Sequence, residues 1–247
     1  NSFIMIDKTA GIVLRQFKYN DSSIILHVFT ESFGRLSLML KSAGNKKPGI
    51  YKAYLQPLTI VDFVIYYKES REIQILKEFS LKYSPAGIYN NITKSTVALF
   101  MGEVLSSILR EESPQKDLYT YIFDSVKYFN DLDKGIPNFH IAFLAGLCSY
   151  LGVEPARRTN HEQTLFDFMN GRFVSLPPSH GNYAGSEVSD VLAGVFGSSW
   201  DDIKYMTLNG KLRNEVLQAL LKYYSFHFPS LKRINSLDVL GEVFRIN

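Results

Sequence analysis

Between Ser32 and Val61 the chain carries five basic residues, Arg35, Lys41, Lys46, Lys47 and Lys52, and no aspartate or glutamate. Such a run makes and breaks no bonds. What it can do is attract a polyanion: spaced cations neutralise spaced phosphates, and the affinity then falls steeply with salt. A single strand also needs flat groups on which bases stack. Arg15 and Lys18 lie just upstream, and Phe17, His27, Phe29 and Tyr51 are interleaved with the cations. The competing explanation is a solvated loop that only keeps the protein dissolved.

The charge distribution favours the first explanation. The net charge is +3, but residues 1–84 contribute +5 and residues 85–247 contribute −2. Positive charge gathered in one segment is the footprint of an anionic partner. Other chemistry finds no residues. There is no G-x-S-x-G elbow, phosphate loop or dinucleotide fingerprint. The histidines His27, His140, His161, His180 and His227 include no i, i+4 pair. The single cysteine, Cys148, lies on an apolar helical face and reads as a core thiol. The carboxylates of Trp200–Asp202 fall where a helix begins, where the helix dipole favours acids. Neither a cofactor nor a metal is expected, and the chain is not expected to be an enzyme. No apolar run is long enough to span a bilayer, and no signal peptide is expected.

The elements that must carry these cations follow from periodicity. Five strand-like segments occupy the first third: TAGIVLRQFKY, SIILHVFT, RLSLMLKS, PLTIVDFVIYY and EIQILKEFSLKY. With no helical period between them they predict a small antiparallel barrel. In the third strand Leu36, Leu38 and Leu40 alternate with Arg35, Ser37, Met39 and Lys41, so leucines face in and cations out. In the second, Ile24, Leu26 and Val28 face in, which turns Ile25, His27 and Phe29 toward the face of Arg35 and Lys41. In the fifth, Ile73, Ile75, Phe79 and Leu81 are expected inside.

After Ser84 the period changes to about 3.6. Asn91 caps a helix burying Val97, Phe100, Met101, Val104, Leu105 and Ile108. Further helices follow around Leu118–Phe129, Ile141–Leu151 and Leu212–Tyr223, and Ser236 reads as the cap of the last one. Residues of about 155–185 form an irregular insert, with a hairpin expected at the Asn-Gly of FDFMNGRFV. The fold class is thus α+β and multidomain: a five-stranded barrel over residues 1–84, then a helical domain over residues 85–247.

The chain resembles the RecO family of recombination mediators. The resemblance rests on GIVLRQFKYNDSSIILHVFTESFGRLSLMLKSAG (Gly11 to Gly44), LQPLTIVDFVIYY (Leu55 to Tyr67), LKEFS, and the closing LLKYYSFHFPSLKRINSLDVL. It implies an OB-fold barrel that binds single- and double-stranded DNA and a helical domain that docks the tail of the single-stranded-DNA-binding protein. It also implies strand annealing, a RecR-type clamp partner, indirect help to a recombinase, and a cytoplasmic, nucleoid-associated place in a bacterium. Many members carry two C-x-x-C pairs in the insert, and Arg157 to Tyr183 has none, so packing of Phe166, Phe168, Phe173 and Val174 must serve instead. The expected nucleic-acid contacts are Arg15, Lys18, His27, Phe29, Arg35, Lys41, Lys46, Lys47 and Lys52. Two rivals use the same residues differently: a protein–protein adaptor whose basic barrel holds an acidic tail, and an RNA-binding OB module. The reading fails if those cations scatter over the barrel or are pinned by carboxylates from residues beyond 84.

Overall fold

The computed structural model describes residues 4–41, 54–110 and 113–246. They form two compact units, residues 1–130 and 131–247.

The first unit opens with five strands: β1 (Met5–Asn20), β2 (Ser23–Thr30), β3 (Gly34–Lys41), β4 (Ile60–Tyr67) and β5 (Ile73–Tyr83). They close into a barrel in the order β1-β2-β3-β5-β4. The long β1 makes this possible. Its first half, Met5–Ile12, pairs with β4, and its second half, Gly11–Asn20, pairs with β2. Closure comes through β3 and β5, which run parallel, so the barrel is not purely antiparallel as expected. Alternate residues of β2, β3 and β4 fill the interior, with Leu26, Val28, Leu36, Leu38, Phe63 and Ile65 almost wholly buried.

The fifth strand departs from the expected phase. Gln74 and Leu76 are buried, whereas Leu81 is exposed. The departure lies before a bulge: Ile65 pairs with Leu76 and Val64 with Glu78, leaving Lys77 as an extra residue, so Gln74 and Leu76 face in before it and Phe79 after it, while Leu81, opposite Val61 on the same face, is exposed. Gln74 can stay inside because its amide closes the β4–β5 turn. It accepts from Lys68 N (2.9 Å) and donates to Lys68 O (3.0 Å) and Arg71 O (2.8 Å).

Three helices complete the unit: α1 (Ala86–Tyr89), α2 (Ile92–Ile108) and α3 (Lys116–Asp131). Asn91 caps α2 as expected, its side chain accepting from Lys94 N. Helix α2 lies against β1, and the contact is close because residue 102 is glycine. A Cβ there would collide with the Leu14 carbonyl oxygen and press on Pro57. Leu14 is itself the extra residue of a β1 bulge between Val13 and Arg15. Beside it, Leu58 takes a left-handed φ of 68°, a conformation that costs a non-glycine residue roughly 1–3 kcal/mol. Hydrogen bonds from Leu58 N to Val13 O and from Val13 N to Thr59 O hold it there.

The second unit contains α4 (Phe139–Tyr150), α5 (Ser186–Val195), α6 (Gly210–His227) and α7 (Ser236–Ile246), with short 3-10 turns at Ile136–Asn138 and Trp200–Tyr205. Ser236 is the first residue within α7 rather than its cap. The Trp200 turn carries the expected acids under a capping box from Ser199. The insert is a three-stranded sheet of β6 (Leu165–Asp167), β7 (Arg172–Val174) and β8 (Tyr183–Ala184), in the order β7-β6-β8. Its hairpin turns where Asn-Gly predicts, with Gly171 at φ 58°. The insert does not fit a zinc ion: it contains no cysteine, and no group of three or more potential ligands occurs among the described residues. Its centre is aromatic, with Phe166 packed on Phe173 (5.0 Å), Phe196 (5.5 Å) and Tyr223 (5.4 Å). Cys148 is a buried thiol pushed up to about 12 by that burial.

Candidate nucleic-acid interface

Adjacent strands bring three of the expected residues together on the outer side of the barrel. Arg15 of β1 sits opposite His27 of β2, and Arg35 lies across from the neighbouring Phe29. Arg35 Nη2 donates to His27 Nδ1 at 3.1 Å, and Ser106 Oγ of α2 is 2.7 Å from the same nitrogen. A guanidinium can only donate, so Nδ1 is the acceptor and the ring proton sits on Nε2. Phe17 forms the floor: its ring meets His27 edge-on at 4.8 Å, and Arg15 lies over it at 5.0 Å.

The electrostatics follow from this crowding. Burial, then Arg35, then Arg15, lower the His27 pKa to about 4. His27 is therefore a neutral spacer between two guanidiniums. It keeps them on one face without adding a third charge.

Arg15 is not wholly available. It pairs with Glu103 of α2 at 3.5 Å, and the carboxylate is only 5% exposed while the arginine is 34% exposed. Helix α2 thus contributes an acid to the basic face. Lys18 is engaged too, 2.6 Å from Asp21 in the β1–β2 turn, and its ammonium holds the Asp21 carboxyl below the usual range. Lys41 ends β3 on the Arg35 face and is exposed. Six residues of strand separate those two cations, about 20 Å.

Phe29 is a correction. It points away from the barrel interior, as the alternation requires, but it is 1% exposed and its ring lies 6.2 Å from that of Tyr119 in α3. An outward strand position here is still inside the unit, because helices cover it. Phe29 therefore offers no face to a base. Lys46, Lys47 and Lys52, with Tyr51, lie outside the described residues.

Glu103 and Ser106 were missed as partners, although the sequence holds a signal. They stand three apart on one side of the helix, next to the glycine that admits the β1 bulge. A polar stripe on a buried face needs polar partners.

A closed five-stranded barrel in this order, with its single parallel closure, is an OB-fold, the class whose second and third strands form the usual oligonucleotide face. The chain belongs to the recombination protein O family. Descriptions of that family's N-terminal and C-terminal parts match residues 5–85 and 89–236. The chain is similar to a protein named DNA repair protein RecO from Azobacteroides pseudotrichonymphae, 30% identical over 97% of this chain and 100% of the relative. Proteins of the same name from Phocaeicola vulgatus (30%) and Bacteroides fragilis (31%) are covered to the same extent. No helix among the described residues is long and apolar enough to cross a membrane.

Proposed function

We propose that this chain is a DNA repair and recombination mediator that acts without chemistry of its own. It binds single- and double-stranded DNA, promotes annealing of complementary strands and helps load a recombinase onto coated single strands. The observation that carries the reading is Arg35 beside the neutral His27 on the outer face of an OB barrel, with Lys41 further along the same face; Arg15 of the same cluster is held by Glu103, from beyond residue 84, and is not counted.

The barrel, residues 1–84, grips backbone phosphates, which are spaced charges that Arg35 and Lys41 can meet in succession. Phosphate contact leaves base edges free, so two screened strands can pair. Lys18, Lys46, Lys47 and Lys52 extend the attraction. The helical domain, residues 85–247, serves protein partners: the tail of the single-stranded-DNA-binding protein and a RecR-type clamp. Such a protein works in the bacterial cytoplasm, at the nucleoid.

The test is fluorescence anisotropy with a labelled single strand, read across a salt series. Arg35→Ala and Lys41→Ala each lower the salt slope by about one, and weaken binding to unrelated sequences alike. An unchanged slope in the double variant removes the barrel face from the interface. Equal-length RNA as competitor separates a DNA mediator from an RNA module.

A further inference from the structure

The second unit contains a cavity of about 350 Å3 between the start of α6 and α7. That volume lies within the range that seats small ligands, roughly 300–1,000 Å3. Leu217, Leu240 and Phe244 give it apolar walls, and Lys211, Arg213 and the wholly buried His140 add polar lining.

Arg213 is the unusual member. Its Nε donates to Asn138 Oδ1 (2.9 Å) and its Nη2 to Leu208 O (2.8 Å). Asn138 is fixed in turn, its amide nitrogen donating to Met206 O at 2.8 Å. The guanidinium lies over the Phe244 ring at 5.6 Å. Every one of these partners is neutral. No carboxylate among the described residues bridges Arg213, in contrast to the exposed Lys211, which stands 3.8 Å from Glu215. Protein interiors normally compensate such a charge, because a part-buried cation held only by neutral oxygens has lost water without gaining a counter-ion. The cost is visible as a guanidinium pKa lowered by burial.

We infer that this cavity is a binding site for a small amphiphilic monocarboxylate, whose anionic end meets Arg213 and whose aromatic or aliphatic body fills the space between α6 and α7. The charge count selects a monoanion. His140 stacks on Phe244 at 5.6 Å, and its pKa is lowered to about 3 by burial and by Arg213, so the imidazole stays neutral and adds no second positive charge. Lys211 also lines the cavity, but it is exposed and stands 3.8 Å from Glu215, so Arg213 is the cation left to face one negative charge. The protein's own hydrogen bonds take Nε and one of the two Nη2 protons, and leave Nη1 and the other Nη2 proton to donate to a single carboxylate. The apolar walls exclude small hydrated anions, which would lose water to leucine. This site is independent of the barrel face and of the DNA reading.

Isothermal titration of the full chain with 3-phenylpropionate, at pH 7.5 and low salt, tests it against 3-phenylpropanol, which has the same body and no charge. The acid is expected to bind saturably at one site, about tenfold or more tighter than the alcohol, the weight of one charge-assisted hydrogen bond. Arg213→Gln reduces the acid to the alcohol's affinity. Gly241 lines the cavity, and a Cβ built on it meets nothing within 4 Å, so Gly241→Leu fills the space and abolishes binding of both while the melting temperature is kept. The inference is overturned if the acid does not saturate, if the alcohol binds equally well, or if a folded Gly241→Leu variant still binds. Should Arg213→Gln unfold, the acid–alcohol contrast in the unaltered chain decides.

Discussion

Each unit of the molecule places a neutral histidine beside arginine, and the two arrangements are finished differently. On the barrel, His27 lies between Arg15 and Arg35, and Arg15 is answered by the buried carboxylate of Glu103. In the helical unit, His140 lies near Arg213, and among the described residues only neutral oxygens answer the guanidinium. The first cluster is locked by its own unit and presents its remaining charge at a part-exposed face. The second is set around a cavity with its charge uncompensated. A histidine kept neutral adds no charge in either place, and on the barrel it also spaces two guanidiniums. The carboxylate decides whether an arginine is structural or awaits a ligand.

The two histidines are also where acid acts hardest. Both have folded pKa values below the unfolded value near 6.5, about 4 for His27 and about 3 for His140. The native state therefore favours the neutral ring. The stability this gives is fully present above pH 6.5, and it is lost as the pH falls through 4 for His27 and on toward 3 for His140. The wholly buried His140 carries the larger share, on the order of 5 kcal/mol at most. Solvent screening reduces the His27 share to roughly 1–2 kcal/mol. Urea unfolding at pH 7.5, 5.5 and 4.5 is expected to give steadily lower midpoints, and His140→Leu to flatten that dependence more than His27→Gln. NMR titration checks the assignment: a midpoint near 6.5 for either ring breaks the comparison.

How much of this was legible in the sequence depends on where each constraint comes from. The alternation of β3 was plain because burial is one-sided along Leu36, Leu38 and Leu40 and no bulge interrupts it. The β6–β7 hairpin was plain because Asn-Gly determines its own turn. The phase of β5 was legible only in its second half, since one extra residue at Lys77 lets Phe79 face in by its odd position while Gln74 and Leu76 face in before it. Gln74 misled for a related reason: a buried glutamine looks impossible until the turn carbonyls that satisfy it are in place. Phe29 misled most. Its outward direction is a local property, whereas its burial under Tyr119 is set by a helix some ninety residues later in the chain. The convergence of Arg15, His27 and Arg35 needed only correct strand pairing. The pinning of Arg15 by Glu103 needed a long-range contact that strand periodicity cannot report.

Arg15 and Glu103 give the next largest effect. Arg15→Ala leaves a 5%-exposed carboxylate without its cation, and breaking a buried pair from one side costs about 3 kcal/mol. Glu103→Gln in the same chain is expected to restore most of that, because an amide tolerates burial better than a carboxylate that has lost its arginine. A double-mutant cycle by urea unfolding reads the coupling directly. Arg213→Gln removes two hydrogen bonds to neutral groups and no ion pair, so its cost should be smaller, about 1–2 kcal/mol. Equal costs for the two arginines mean that Glu103 does not distinguish them.

The smallest effect tests whether proximity alone makes a pair structural. Lys18 and Asp21 approach to 2.6 Å, closer than Arg15 and Glu103 at 3.5 Å. Yet their side chains are 61% and 98% exposed, so water already solvates both charges and salt screens what remains. Lys18→Ala is therefore expected to leave the unfolding midpoint unchanged within error, although it removes the shorter bridge. Its effect should appear in ligand binding instead. Asp21→Asn frees the ammonium and should raise the salt slope for a single strand slightly, whereas Lys18→Ala lowers it. A marked loss of stability in Lys18→Ala would mean that distance, rather than burial of the carboxylate, ranks the ion pairs of this barrel.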